Sequence, residues 1–190
     1  SHAGMNFDTE TLWTNYGISS YALWGSVQPM YNSYYFLKEA IKTNKPKVVV
    51  LDTYAATFQD EYSDESRQVT NTVGMNYGLN RIKAVSVSAP AERWEYLMFG
   101  LPCYHTRYNE LSENDFSQYP WTDEAVASKG TSVRYGVGNY ELWDASEVTE
   151  TKEINKKQQE YLLKIIDLCD SEDIKLLLVK TPTASRVSVQ

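Results

Sequence analysis

The sequence predicts an α/β fold, in which a parallel sheet lies between two layers of helices as a three-layer α/β/α sandwich. Two segments each place an amphipathic helix directly before a short strand that is apolar throughout. A strand without polar alternation is typical of a parallel sheet that is buried on both faces. With 190 residues, 42% of them apolar, the chain is long enough to bury one such core.

The first helix–strand unit has a clear beginning and end. Apolar residues recur at helical spacing over residues 33–43, and a Lys-Pro dipeptide then closes the predicted helix. The β-branched run of residues 47–52 predicts the strand. The second unit repeats this order, with a helix over residues 154–169 and a strand over residues 174–179.

A third and weaker unit comes before these two. Leu12-Trp13 belongs to a short helix that ends at Tyr16-Gly17, because glycine commonly terminates helices. Residues 20–24 then predict a strand rich in aromatic residues that runs into Gly25.

The middle of the chain departs from this order. We interpret residues 58–144 as an inserted subdomain, mainly helical and irregular, between two parts of the α/β domain at residues 1–57 and 145–190. Within the insertion, helical patterns cover residues 81–87 and 91–99.

The sheet is expected to be incomplete at both ends. The chain begins at Ser1-His2 without an initiator methionine and stops soon after a predicted strand, so we interpret it as a piece of a longer protein. An open strand edge pairs readily with another chain, and we therefore expect the isolated chain to associate.

Composition excludes several function classes. The 18 Lys and Arg residues stand against 25 Asp and Glu residues, and this net charge of −7 argues against nucleic acid as a partner. No apolar run reaches the roughly 18 residues of a membrane-spanning helix. Cys103 and Cys169 lie far apart without metal-ligand spacing, so neither a zinc site nor a disulfide is predicted. No metal and no cofactor is implied.

The candidate site residues follow the predicted strands, where ligands bind in open α/β sheets. Gly25 could direct its backbone N–H at a developing oxyanion, and Gln28 could donate through its amide. Alternatively, Gly25 only forms a turn and Gln28 caps the next helix. Asp52 could bind a polar ligand or orient a base, or it caps the turn that follows.

Two further candidates lie in the insertion. His105 and Arg107 share a face if their segment is extended, and histidine is a natural proton carrier. Arg107 could hold an anionic group by a bidentate contact, or both side chains could simply pin the insertion to the sheet. Cys103 is either a nucleophile beside His105 or a small buried hydrophobic residue. Ser1 is either a nucleophile or the remnant of an expression tag.

Several segments together resemble the SGNH/GDSL hydrolase superfamily, in its branch of bacterial cell-envelope SGNH-like proteins. Ser1-His2 resembles the second half of a Gly-Ser-Ser-His block. The resemblance extends over most of the chain, through Leu12-Trp13, Tyr16-Gly17-Ile18, Gln28-Pro29-Met30, residues 34–40, residues 45–52, residues 104–111, Asp115-Phe116 and residues 176–182.

The resemblance implies serine-based acyl chemistry. Ser1 would match the nucleophile of the first block, and Gly25 would match the oxyanion glycine of the second. The family's Gly-x-Asn-Asp block is replaced here by Asp52-Thr53-Tyr54. Its Asp-x-x-His block would follow Gln190, so the chain as given is expected to be inactive, because a serine hydroxyl without its histidine base is a poor nucleophile.

The implied activity is hydrolysis or transfer of acyl esters on cell-envelope glycan. Gln28, Asp52, His105 and Arg107 would bind the substrate. The natural protein would be extracytoplasmic, anchored to the membrane only through an N-terminal helix that precedes Ser1. The alternatives are a catalytically silent envelope scaffold and a carbohydrate-binding protein that uses exposed aromatic side chains.

Overall fold

The computed structural model describes residues 2–99, 109–110, 113, 128–132, 143–144, 153–181 and 185–186. Over these ranges the chain combines helices with short parallel strands, as the sequence predicts. The helices are α1 (His2–Asn6), α2 (Thr9–Tyr16), α3 (Met30–Thr43), α4 (Glu65–Thr70), α5 (Leu79–Ser88), α6 (Trp94–Phe99) and α7 (Lys156–Ser171), with 3₁₀ helices at Thr53–Thr57 and Ala91–Arg93. The strands are β1 (Val48–Asp52), β2 (Trp143–Asp144), β3 (Lys175–Val179) and β4 (Ser185–Arg186).

Both of the stronger helix–strand units are present, and they lie side by side. β1 pairs with β3 in parallel, with Val48 opposite Lys175 and Asp52 opposite Val179. α3 leads into β1, and α7 leads into β3. Each unit therefore consists of a helix followed by one strand of the parallel pair. β2 and β4 form a separate short parallel pair.

The helices α3 and α7 pack against each other and against one face of the β1–β3 pair. Val49 and Leu51 contact the core on that face. The opposite face carries Val48, Val50 and Leu177, which are 50%, 41% and 54% exposed. The expectation that these strands are buried on both faces is therefore wrong for the described residues, because the helices of both units lie on the same side.

Tyrosines fill the contact between α3 and α7. The ring centroid of Tyr161 on α7 lies 6.0 Å from that of Tyr31 and 5.7 Å from that of Tyr34, both in edge-to-face geometry. Burial raises the pKa of Tyr31, Tyr35 and Tyr161. These aromatic side chains serve the core rather than a ligand-binding surface.

The helix predicted around Leu12-Trp13 is confirmed as α2. Asp8 caps its first turn by accepting hydrogen bonds from the backbone N–H groups of Glu10 and Thr11. The Thr11 hydroxyl also donates to Asp8, and these hydrogen bonds lower the pKa of that carboxyl. Gly17 ends the helix at a φ of 66°, a left-handed conformation that favours glycine.

The strand predicted over residues 20–24 is wrong. This segment has no strand partner among the described residues and is instead held by the turn at residues 128–130. The Ala22 N–H donates to the Lys129 carbonyl at 2.9 Å, and Trp24 Nε1 donates to the Gly130 carbonyl at 2.6 Å. Aromatic residues favour strands only where a neighbouring strand supplies a ladder, and here a turn satisfies the backbone.

The helices predicted within the insertion are confirmed as α5, the second 3₁₀ helix and α6. A buried arginine, Arg81, joins them: its guanidinium donates to the carbonyls of Val73, Met75, Leu97 and Met98 at 2.9–3.1 Å. The carbonyls of Leu97 and Met98 lie at the end of α6, where a cation is favoured by the helix dipole. α5 in turn packs against α3.

We expect the protein to lose stability above about pH 10. The pKa values of Tyr31, Tyr35 and Tyr161 lie above their ordinary value of 10.0 in the folded chain. Their contribution is complete below pH 10.0 and is lost as the pH rises toward the folded pKa values, since the unfolded state releases these protons first. Thermal unfolding followed by circular dichroism should show a falling midpoint, and Tyr161→Phe should flatten the fall. A midpoint that is constant up to about pH 12 would contradict this.

We also expect the isolated chain to self-associate through the exposed face of the β1–β3 pair. Replacing Val50 by Lys places a charge on that face and should weaken association about tenfold or more. Sedimentation velocity over a concentration series measures this. Ile82→Lys, at a residue on α5 that is 50% exposed, is the matched control and should leave association unchanged. Equal effects of the two variants would rule out the sheet face as the contact.

Candidate functional site

The loop that precedes α3 has two unusual backbone positions. A Cβ atom added to Gly25 would lie 2.0 Å from Oδ1 of Asn71, so only glycine fits there. Two residues later, Val27 has a φ of 46°. A β-branched residue in this left-handed region costs on the order of 1–3 kcal/mol, and such strain is concentrated at functional sites. The structure thus singles out the loop that the sequence analysis placed in the site.

Buried amide side chains fix this loop. Nδ2 of Asn71 donates to the carbonyls of Ser26 and Arg67 at 3.0 Å and 2.9 Å. Nδ2 of Asn32, on α3, donates to the Asn71 carbonyl at 3.1 Å and to the Ser88 hydroxyl at 2.8 Å. The two carbonyl acceptors on Nδ2 orient the Asn71 amide so that its oxygen faces Gly25.

Gln28 takes part in the same cluster. Its Nε2 donates to the Ser33 hydroxyl at 2.9 Å, but it caps no N–H group in the first turn of α3, so the capping alternative for Gln28 is wrong. Its Oε1 lies 3.2 Å from the position of a Cβ on Gly25. Oε1 of Gln28, Oδ1 of Asn32 and Oδ1 of Asn71 are buried without a hydrogen-bond partner among the described residues. The surroundings of Gly25 therefore offer acceptors, which favour a bound donor group.

The start of the chain approaches this loop. Ser1 itself lies outside the described residues, but α1 begins at the next residue. A Cβ on Gly4 would lie 2.0 Å from Nε1 of Trp24, so α1 is in direct contact with the residue before Gly25. α1 also lies beside β1.

Asp52 lies at the carboxyl end of β1, where a ligand was expected. One carboxylate oxygen accepts from the Tyr54 N–H at 2.9 Å and the other from the Thr181 hydroxyl at 2.9 Å. The Thr53 hydroxyl donates to the Val179 carbonyl at 3.1 Å. These contacts cap the 3₁₀ turn and tie the ends of β1 and β3 together, so they favour the structural alternative for Asp52.

Two cavities border the described elements. One, of about 600 Å³, lies between the 3₁₀ helix Thr53–Thr57 and the segment that begins α7, next to the carboxyl end of β1. The other, of about 320 Å³, lies beside the loop before α3 and is lined by Val27 and Pro29 on that side. Both volumes fall in the range of small-ligand pockets.

The remaining candidates divide into two groups. His105, Arg107 and Cys103 lie outside the described residues, so their predicted roles stay predictions. Cys169 is buried in the core under α3, and burial raises the pKa of its thiol, which makes it a packing residue and a poor nucleophile.

The residues that shape the loop, Asn32, Asn71 and the strained Val27, are not predicted by any pattern in the sequence. Asn71 falls in a segment assigned to an irregular insertion, where an asparagine is ordinarily a turn residue. Its role in fixing the loop is revealed only by its burial and by its contact with Gly25, which lies more than forty positions earlier in the sequence. The strain at Val27 has no signal in the sequence, since valine is rare in that conformation.

Comparison of the chain with protein-family models, with curated proteins and with solved structures finds no match. Within the described residues, no helix has the length and apolar character required to cross a bilayer. The same residues contain no group of three or more His, Cys, Asp or Glu side chains placed to hold a metal ion.

Gly25→Ala tests the contact that defines the loop. The added methyl group would meet the Asn71 amide, and we expect a loss of about 1–3 kcal/mol in the free energy of unfolding, measured by urea denaturation. Gly74→Ala is the matched control, because nothing lies within 4 Å of a Cβ at that position. Asn71→Ser removes the clashing oxygen together with the Nδ2 hydrogen bonds to Ser26 and Arg67, so the double variant should lose less stability than the sum of the two single variants. If Gly25→Ala were as stable as Gly74→Ala, the contact would not constrain residue 25.

Proposed function

We propose that this chain carries the nucleophile and part of the oxyanion site of a serine-dependent acyl ester hydrolase or O-acyltransferase that acts on cell-envelope glycan. The contact of α1 with Trp24 carries the proposal. It brings the helix that follows Ser1 against the residue that precedes Gly25. The resemblance to SGNH-like proteins assigns the nucleophile to Ser1 and the oxyanion glycine to Gly25, which flank this contact in the sequence.

The chemistry needs few groups. The Ser1 hydroxyl would attack the ester carbonyl, and the backbone N–H of Gly25 would stabilise the tetrahedral oxyanion. The alcohol then leaves, and water or a glycan hydroxyl attacks the acyl-serine. A histidine, which the resemblance assigns to a region after Gln190, would accept the serine proton and return it to the leaving alcohol.

The constrained loop fixes the position of the Gly25 N–H. The Asn71 contact with Gly25 and the strain at Val27 both describe a loop with one permitted shape. The buried acceptor oxygens of Gln28, Asn32 and Asn71 around it do not favour an anion, so the oxyanion role of Gly25 rests on the resemblance and not on these side chains.

Gln28, His105 and Arg107 are proposed to bind the substrate. Asp52 is proposed to help shape the same end of the sheet, since both of its oxygens accept hydrogen bonds there.

The fold proposed for the natural protein is the three-layer α/β/α sandwich. The exposed apolar face of the β1–β3 pair supports it, because parallel sheets are ordinarily covered by helices on both faces. An extracytoplasmic, membrane-anchored location and an acylated glycan as partner complete the proposal.

A carbohydrate-binding role is the second candidate, and one surface favours it. Trp13 and Tyr21 are 54% and 62% exposed and lie on either side of the turn at residues 128–130. Nζ of Lys129 lies 5.2 Å from the Trp13 ring centroid, and Gly130 packs against the Tyr21 ring. Retention on insoluble glycan that is lost in Trp13→Ala, without ester cleavage, would support this role in place of the first.

Ser1→Ala tests the proposed activity in the natural protein. With p-nitrophenyl acetate as the substrate, we expect kcat/KM to fall on the order of 10⁴-fold or more, because no other group in the proposed site can form the acyl intermediate. Ser171→Ala, at an exposed position near the end of α7, is the control and should keep full activity. Turnover by Ser1→Ala at the rate of the unmodified protein would overturn the assignment.

A further inference from the structure

The turn at residues 128–131 has a constrained backbone of its own. The Thr131 N–H donates to the Ser128 carbonyl at 2.9 Å and closes the turn. Its two central residues both have a positive φ, 47° at Lys129 and 82° at Gly130, which is typical of a type I′ turn. Lysine is uncommon in this conformation, so the turn keeps its shape through contacts with the rest of the chain.

Three of these contacts form a closed ring between the turn, α1 and Trp24. The Trp24 indole packs directly on Gly4 of α1, where an added Cβ would overlap it. Nε1 of Trp24 donates to the Gly130 carbonyl at 2.6 Å. The Ser132 N–H, just after the turn, donates to the Gly4 carbonyl at 2.8 Å. The Trp24 side chain is therefore enclosed between α1 and the turn, and the turn holds α1 at the same time.

Further hydrogen bonds fix the turn on both sides of this ring. The Ala22 N–H donates to the Lys129 carbonyl at 2.9 Å, and a Cβ added to Gly130 would overlap the Ala22 carbonyl. On the other side, the buried Thr9 hydroxyl, on α2, donates to the Ser128 carbonyl at 2.7 Å. A buried hydroxyl that loses its acceptor costs free energy. The turn is thus bound to α1, to α2 and to the segment that leads into the constrained loop.

We propose that residues 128–132 act as a clamp that positions the nucleophile relative to the oxyanion glycine. This inference rests on the proposed function, in which these groups are Ser1 and Gly25. α1 begins directly after Ser1, and Trp24 directly precedes Gly25, so the clamp acts on the neighbours of both groups. A displacement of about 1 Å between reacting groups can lower the rate on the order of 100-fold. The clamp therefore controls the rate without touching the substrate, and Trp24 and Gly130 are positioning residues.

A second tryptophan supplies a matched control. Nε1 of Trp94 donates to the Ala89 carbonyl at 2.8 Å, which is the same kind of hydrogen bond that Trp24 makes to Gly130. The Trp94 bond joins the end of α5 to the start of α6, away from α1 and the constrained loop. Loss of an indole hydrogen bond can therefore be compared at two places, of which only one belongs to the clamp.

The clamp is tested first without reference to activity, by amide hydrogen exchange followed with ¹H–¹⁵N NMR. Trp24→Phe removes the Nε1 donor and keeps an aromatic ring. Because the three contacts form a closed ring, we expect the Ser132 N–H to exchange about tenfold faster or more in this variant, while the amides of α7 keep their rates and report an intact core. Trp94→Phe should leave the exchange of Ser132 unchanged. Unchanged exchange of Ser132 in Trp24→Phe would overturn the proposal.

The positioning role is tested by the kinetics of the natural protein with p-nitrophenyl acetate. Gly130→Ala sets a methyl group against the Ala22 carbonyl and should lower kcat about tenfold or more, with KM changed less than about twofold, because the ester does not touch the clamp. Trp24→Phe should show the same split between kcat and KM, whereas Trp94→Phe should keep the full kcat.

Gly17→Ala separates this effect from a general loss of stability. Gly17 also has a left-handed φ, of 66°, but no atom of the described residues lies within 4 Å of a Cβ at that position. The variant should lower the midpoint of thermal unfolding and leave kcat unchanged. A kcat that falls as far in Gly17→Ala as in Gly130→Ala would overturn the positioning role.

The outcome for Ser1→Ala distinguishes this inference from the proposed function. If Ser1→Ala abolishes the esterase activity but Gly130→Ala keeps the full kcat, the serine mechanism stands and the positioning role is overturned. If Ser1→Ala keeps the activity, the proposed function fails and the positioning role fails with it. The dependence of Ser132 exchange on Trp24 would then still identify the clamp as a structural element.

Discussion

The structure depends on buried amide side chains that hold the first turn of α3. Oε1 of Gln158, on α7, accepts a hydrogen bond from the Met30 N–H at 2.9 Å, and Asn32 and Asn71 join the same turn to α5 and to the loop at residue 26. Losing any of these bonds would leave a further buried polar group unpaired at a cost in free energy, so each of them fixes the position of a whole element. The shape of the loop at Gly25 follows from this network more than from its own residues.

The same network explains how the strained conformation at Val27 persists. Strain of this kind survives only where the surroundings determine the backbone on both sides. Asn71 holds Ser26 on one side, and the Gln158 bond to Met30 holds the other. The proposed oxyanion loop borders this short stretch, so this set of contacts would fix the position of the Gly25 N–H.

Local patterns were sufficient to predict much of the fold. Helical periodicity followed by a continuous apolar run predicted α3 with β1 and α7 with β3, and a glycine predicted the end of α2. The strand at residues 20–24 failed because its backbone partner is a turn more than a hundred residues away, which no local pattern contains. For the site, strand-end reasoning pointed to Gly25 and Gln28, but the contact with Asn71 is set by tertiary packing. Asp52 was selected by the same reasoning, but its two hydrogen bonds give it a structural role, because they cap the 3₁₀ turn and tie the ends of β1 and β3 together.

α3 is shared between two partners, α5 on one side and α7 on the other. A buried hydrogen bond joins α3 to each partner: the Asn32 amide donates to the Ser88 hydroxyl of α5, and the Met30 N–H donates to Gln158 of α7. Neither partner can separate from α3 without exposing these polar groups together with the apolar surface around them. We therefore expect α3, α5 and α7 to unfold as one cooperative unit, although more than sixty residues of chain lie between α5 and α7.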